Sequence, residues 1–200
     1  ALDGKSFFYV NPLEVLPEAC HKDERKFHVK DVRQKWFGCA CCPPNLARTL
    51  SSVSSYAFTE NDDTLFVHLY IGSDVKKKVN GQEVAVHIDS AFPWDGKVSV
   101  SVDGANVPLT LALRIPGWAN SYTVSADSSE YTIKDGYLYI ARTWKKGETL
   151  TLDFPMEIQV WNADPRVRED IGKAAVTRGP VTYCLEEKDN GTDLHLLTLD

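Results

Sequence analysis

The chain has 200 residues, enough for one domain of ordinary size or for one domain and part of another. Apolar residues make up 43%, which supports a packed core and argues against wholesale disorder. The net charge is −6, from 22 basic and 28 acidic residues, and this balance argues against a nucleic-acid partner, because phosphate binding needs a concentrated basic surface. No apolar run approaches the ~18 residues of a membrane span, so no membrane partner is expected, and no secretory signal is visible. The chain opens at Ala1 rather than at Met, and an upstream segment is expected.

Phe7-Phe8-Tyr9-Val10, followed by Asn11-Pro12, predicts a short strand stopped by a turn. Residues 18–31 carry Glu18, His21, Lys22, Asp23, Glu24, Arg25 and Lys26 and predict an exposed loop. Residues 44–58 predict the one convincing helix, because Leu46, Leu50, Val53 and Ala57 recur on one face. Pro43 and Pro44 suit its start, where a missing N–H costs nothing. From residue 64 onward the period becomes two. Strands are expected at 65–71, 84–88, 98–102, 109–115, 122–125, 137–142, 149–154, 158–161, 174–177 and 181–185. Turn signals such as Asn80-Gly81, Asp95-Gly96, Asp135-Gly136 and Lys146-Gly147 separate them. The basic run Lys76-Lys77-Lys78 reads as a solvated strand or turn face. The fold class is therefore mainly β, a β-sandwich or jelly roll. A boundary is expected near residue 60, with 61–200 as the sandwich. Residues 1–60 are too few to bury a core of their own and read as the tail end of a larger domain.

The five cysteines are Cys20, Cys39, Cys41, Cys42 and Cys184. Their number is odd and three of them cluster, which argues against a disulfide framework and favours thiol chemistry or metal binding. The cluster immediately precedes the predicted helix. Orphan N–H groups and the positive dipole end favour an anion there, so a thiol is depressed toward its reactive thiolate form. Position alone leaves an activated thiol, a metal ligand and a buried structural cysteine all open.

The run Trp36-Phe37-Gly38-Cys39-Ala40-Cys41-Cys42-Pro43-Pro44-Asn45, followed by Ala47-Arg48, resembles the signature of glycoside hydrolase family 127. Tyr9-Val10-Asn11-Pro12-Leu13 is similar to the segment that precedes that signature. Phe92-Pro93-Trp94-Asp95-Gly96-Lys97, Leu113-Arg114-Ile115-Pro116-Gly117-Trp118, Arg142-Thr143-Trp144 and Arg178-Gly179-Pro180-Val181-Thr182-Tyr183-Cys184 resemble its sandwich. The resemblance implies an (α/α)6-barrel catalytic domain followed by β-sandwich domains. It implies retaining cleavage of terminal β-L-arabinofuranosides in an arabinose-containing oligosaccharide or glycan. It places the nucleophile at Cys41 and two ligands of a Zn2+ ion at Cys41 and Cys42. The other two zinc ligands and a glutamate general acid/base belong, by the same resemblance, to an upstream helical-barrel domain. Residues 1–200 alone are therefore expected to be inactive and to hold zinc weakly if at all. Glu14 and Glu18 match no motif of the family.

Tyr9 is a candidate for the sugar-binding pocket, against its reading as a packed strand aromatic. His28 reads as an exposed loop histidine, Cys39 as a packing cysteine, and Cys20 and Cys184 as structural. Trp94, Trp118, Trp144 and Trp161 read as core or inter-domain packing rather than as sugar platforms. Asp153, Glu157 and Asp164 form no recognisable catalytic pair, and Arg114 and Arg142 are expected in ion pairs. Two other readings compete: a non-catalytic β-sandwich that binds carbohydrate or packs on a catalytic domain, and a small thiol-based zinc or redox protein. Compartment, whether cytoplasm or periplasm, and oligomeric state, a homodimer included, are left open by the sequence.

Overall fold

A computed structural model of the chain describes residues 1–9, 14–22, 29–38, 41–104 and 106–199. The readings made for Val10 to Leu13, Asp23 to Lys26, His28 and Cys39 lie outside these residues. The chain divides into two compact units, one of Ala1–Ser52 with Leu185–Asp200 and one of Val53–Cys184.

The larger unit is mainly β. Its first sheet contains β1 (Phe58–Glu60), β2 (Thr64–Val67), β6 (Val107–Arg114), β9 (Tyr137–Trp144) and β8 (Thr132–Lys134), in the order β1-β2-β6-β9-β8. Its second contains β3 (Ser73–Val79), β4 (Gln82–Ser90), β5 (Lys97–Asp103), β10 (Glu148–Asp153) and β7 (Thr123–Val124), in the order β3-β4-β5-β10-β7. Pairing is antiparallel except between β2 and β6, where Leu65 faces Leu111 in parallel register.

The alternation seen in the sequence builds the core. In β5 Val98, Val100 and Val102 are buried while Ser99 and Ser101 are half-buried on the other face. Leu65, Leu109, Leu111, Leu113, Leu138 and Ile140 of the first sheet join Val84, Val86, Val100, Val102, Leu150 and Leu152 of the second in one apolar cluster. The two sheets thus form a sandwich. Each such side chain contributes about 1.5–3 kcal/mol on burial. Trp144 is fully buried among them, and its indole N–H donates to the Leu109 carbonyl at 2.8 Å. The turn signals act through backbone geometry. Asn80-Gly81 between β3 and β4 has φ of 51° and 81°, and Asp135-Gly136 between β8 and β9 has 51° and 78°. Two successive residues with positive φ match the right-handed twist of a two-residue hairpin.

The structure departs from the sequence reading in several places. The strand expected over 65–71 ends at Val67; just beyond it the N–H groups of His68 and Leu69 both point to the Ala57 carbonyl, at 2.8 and 3.4 Å. The helix expected over 44–58 is α2 (Cys42–Ser52), followed by the single turn α3 (Ser54–Ala57) of the larger unit. Its apolar stripe is buried only at its end: Leu46 and Leu50 are 62% and 63% exposed, Val53 is half-buried and Ala57 is buried. Part of the loop expected over 18–31 is a short helix, α1 (Pro17–Lys22), with Pro17 at its first position and a Glu18–Lys22 ion pair along it. Phe7 makes a single bridge to Gln34 rather than a strand. The basic run is not uniformly solvated. Strand alternation turns Lys77 inward, its side chain 3% exposed, where it donates to Glu60 at 3.2 Å and to the Asn61 carbonyl. A small third sheet pairs β11 (Ile158–Asn162), β12 (Ala174–Arg178) and β13 (Val181–Tyr183) and leaves Ile158, Val160 and Trp161 exposed. No helix among the described residues is long and apolar enough to cross a membrane.

The smaller unit contains α1, α2 and α4 (Glu187–Asn190). Phe37 is its one buried residue among those described.

Candidate active site

Cys42 opens α2 and Cys41 directly precedes it. Pro43 and Pro44 occupy the first turn, where their fixed φ favours the helix and their missing N–H groups cost no hydrogen bond. Both thiols are exposed. The sequence reading of a cysteine at a helix start therefore has a direct structural counterpart.

Tyr9 comes from a segment 32 positions earlier and meets Cys41 through its hydroxyl. The hydroxyl accepts the Cys41 N–H at 3.3 Å and can donate to Cys41 Sγ. Its phenol is held well above the usual tyrosine range, first by the hydrogen bond to the Cys41 side chain and next by that to Cys42. Tyr9 thus stays protonated beside the sulfur and remains available as a donor to a thiolate.

An aromatic group fixes the Tyr9 ring. It lies 5.3 Å from the ring of buried Phe37, and Phe7 lies at the same distance from Phe37. Phe7 also meets Trp36 edge-on at 6.5 Å. Phe7 and Gln34 exchange backbone hydrogen bonds of 2.9 and 3.0 Å. The segment before the cysteines and the segment around Tyr9 are therefore locked together just upstream of the thiols. Tyr9 is placed at the candidate nucleophile, and its packing on Phe37 holds it there.

Glu18 is paired with Lys22 on exposed α1, and Glu14 is exposed. Cys20 is half-buried in α1, and Cys184 follows β13 on the surface. Cys41 and Cys42 fit half of a tetrahedral zinc site, and thiolates are chemically suited to that metal. Among the described residues no group of three or more His, Cys, Asp or Glu could hold a metal ion.

In the larger unit, Trp144 is core and Trp118 packs against Phe92 and Phe154. Trp94 and Trp161 are 55% and 52% exposed, and the Trp161 indole donates to Thr177 Oγ1 at 2.9 Å. Asp164 is engaged by Arg166 and Glu157 by Asn120. Arg142 pairs with Glu148 at 2.8 Å and Glu130 at 3.3 Å, and its guanidinium lies 4.3 Å over the ring of Trp144. The sequence reading missed a cluster in which Phe66 meets Tyr137 and Tyr139 edge-on at 6.0 and 6.2 Å. His68 joins it, bonded to Tyr137 and Thr59 at 2.7 Å each. Only the strand register brings these residues together, Phe66 opposite Ala112 and Ala112 opposite Tyr139.

Comparison with known proteins gives a consistent picture. Residues 1–55 match the family "Beta-L-arabinofuranosidase, GH127 catalytic domain", residues 64–156 the GH127 middle domain, and residues 158–200 the "Glycoside hydrolase family 127 C-terminal domain". A curated relative, the non-reducing end beta-L-arabinofuranosidase of Bifidobacterium longum subsp. longum, is 38% identical over 97% of this chain and 30% of its own length. A solved GH127 beta-L-arabinofuranosidase from Geobacillus stearothermophilus T6 is 49% identical, with a TM-score of 0.83 over 96% of this chain and 31% of that one. The GH127 beta-arabinofuranosidase BT3674 is 34% identical, with a TM-score of 0.76 over 94% of this chain and 31% of that one. The chain spans about a third of the length of these relatives. Three adjoining matches to one family, running from the cysteine motif through both β regions, show that the chain belongs to glycoside hydrolase family 127.

Proposed function

We propose that this chain contributes the nucleophile of a retaining glycoside hydrolase that acts on terminal β-L-arabinofuranosides. The observation that carries the reading is the meeting of Tyr9 with Cys41 at the start of α2, inside the segment that matches the family's catalytic domain. The β-L-arabinofuranosidase relatives support the substrate class.

In this reading Cys41 Sγ attacks the anomeric carbon as the glycosidic C–O bond breaks. The departing oxygen takes a proton from a general acid, and the sugar is left joined to sulfur. Water then attacks the same carbon as the conjugate base of that acid takes its proton, the C–S bond breaks, and configuration is retained through two inversions. Tyr9 donates to the sulfur while it is anionic, which orients it and stabilises the thiolate leaving in the second step. The exposed position of Cys41 leaves room for the sugar.

The general acid/base and two further zinc donors are proposed to lie on an (α/α)6 barrel outside these residues. Cys41 and Cys42 would provide the sulfur ligands, and a bound zinc would keep the thiols deprotonated. Residues 1–200 alone are proposed to be inactive, since the acid and half of the metal site would be supplied elsewhere.

The test is hydrolysis of an aryl β-L-arabinofuranoside by the protein as its gene encodes it, by its Cys41→Ser variant, and by residues 1–200 alone. The proposal expects turnover in the first only. Turnover by Cys41→Ser contradicts the nucleophile, and turnover by residues 1–200 contradicts the division of the site.

A further inference from the structure

Arg33 and Glu186 are 153 positions apart and meet within the unit that carries the cysteines. Arg33 Nε donates to Glu186 Oε1 at 2.8 Å, and Arg33 Nη2 donates to the same oxygen. Their side chains are 31% and 19% exposed, so the pair is largely withdrawn from bulk water. Charge-assisted hydrogen bonds in such surroundings are strong and directional. Glu186 is itself held, because its carbonyl accepts the N–H groups of Asp189 and Asn190 in α4, both at 3.0 Å.

Arg33 sits at the base of the structure that holds Tyr9. Its guanidinium lies 5.0 Å over the ring of Phe8, the neighbour of Tyr9 in the chain. Gln34, next to Arg33, forms the backbone bridge to Phe7. Phe37, three positions further on, carries the rings of Phe7 and Tyr9. Arg33 therefore touches both segments of the bridge, and Tyr9 extends from that bridge to Cys41.

We propose that Glu186 is a positioning residue for the nucleophile: through Arg33 it fixes the Phe7–Gln34 bridge, and through the bridge it fixes the Tyr9 hydroxyl against Cys41. The proposal rests on Cys41 being the nucleophile. It also gives a role to residues 185–199. They fall inside the segment matching the family's C-terminal domain, yet they fold with the cysteine-bearing unit. A donor to sulfur works only at hydrogen-bond distance, and a displacement of ~1 Å at a reacting centre can lower a rate by up to ~100-fold.

The experiment compares kcat, KM and the thermal midpoint of the protein as its gene encodes it with those of Cys41→Ser, Glu186→Gln, Glu186→Asp and Arg33→Lys, on an aryl β-L-arabinofuranoside. Glu186→Gln and Arg33→Lys are expected to lower kcat about tenfold with KM held within about twofold. Glu186→Asp, which keeps the charge, should recover part of that loss. Arg33→Lys keeps the charge but loses the planar fork, and it carries the test if Glu186→Gln does not fold. An unchanged kcat in either folded variant overturns the proposal, provided Cys41→Ser is inactive. So does a loss in Glu186→Asp equal to that in Glu186→Gln and matched by a fall in thermal midpoint, which marks a purely structural tie. Turnover by Cys41→Ser is a separate failure, because it removes the nucleophile reading itself.

Discussion

The Tyr9 hydroxyl and Cys41 Sγ are in contact across 32 positions of sequence, and the Cys41 N–H also points to that hydroxyl. The cysteine side chains, Cys41 first, hold the phenol's pKa above the ordinary range, so that it keeps its proton well into alkaline pH. Removing the hydroxyl and keeping the ring isolates this contact. Tyr9→Phe should preserve packing on Phe37 and lower kcat on an aryl β-L-arabinofuranoside by roughly tenfold, the value of one hydrogen bond to a charged group at about 1.5 kcal/mol. Steady-state kinetics with unchanged near-UV circular dichroism checks it.

Gly96 is required by space rather than by backbone angle. A Cβ there would sit 1.9 Å from the carbonyl oxygen of Phe154, whose N–H bonds back to the Gly96 carbonyl at 3.1 Å. Neither side is a flexible chain end. Gly96→Ala should therefore destabilise the sandwich by about 3 kcal/mol, read as a lower urea midpoint.

Trp144 combines volume with a polar tip. Its ring is fully buried and its N–H satisfies the Leu109 carbonyl. Trp144→Ala should lower stability by about 3–5 kcal/mol through the cavity it leaves. Trp144→Phe should cost less, because most of the apolar volume stays and the carbonyl loses one partner. Denaturant titration of the two variants side by side measures the difference.

His68 sets a pH dependence. Burial, and next the nearby Arg114 charge, lower its pKa below the ordinary value near ~6.5. The folded state therefore binds this proton less readily than the unfolded state. The histidine's contribution is present above the unfolded pKa and is lost as pH falls through the folded one. The thermal midpoint should decline from pH 7 toward pH 5, and His68→Gln should flatten that decline. An identical slope in both proteins would show that other groups cause it.

Local signals carried much of this molecule. Period-two runs marked β5 and β6 because their inward residues are Val and Leu while Ser, Thr and Pro alternate with them. Asn80-Gly81 and Asp135-Gly136 marked hairpins because such residues take two successive positive φ values cheaply. The cysteine cluster stood out because it abutted a helix start. What escaped depends on distant partners. Lys77 turns inward because Glu60 and the Asn61 carbonyl wait there, and a run of three lysines does not reveal that. The helix face of Leu46 and Leu50 was legible, but burial was not, since nothing among the described residues covers it. The Arg33–Glu186 pair spans 153 positions and has no local signature.

The most direct test of the account is to trap the covalent intermediate. The protein as its gene encodes it is treated with a slow-turnover β-L-arabinofuranoside, quenched, digested and examined by mass spectrometry. The account predicts one added arabinosyl mass on the peptide containing Cys41, absent from Cys41→Ser. A sugar attached to a different residue, or hydrolysis that proceeds in Cys41→Ser, would contradict it.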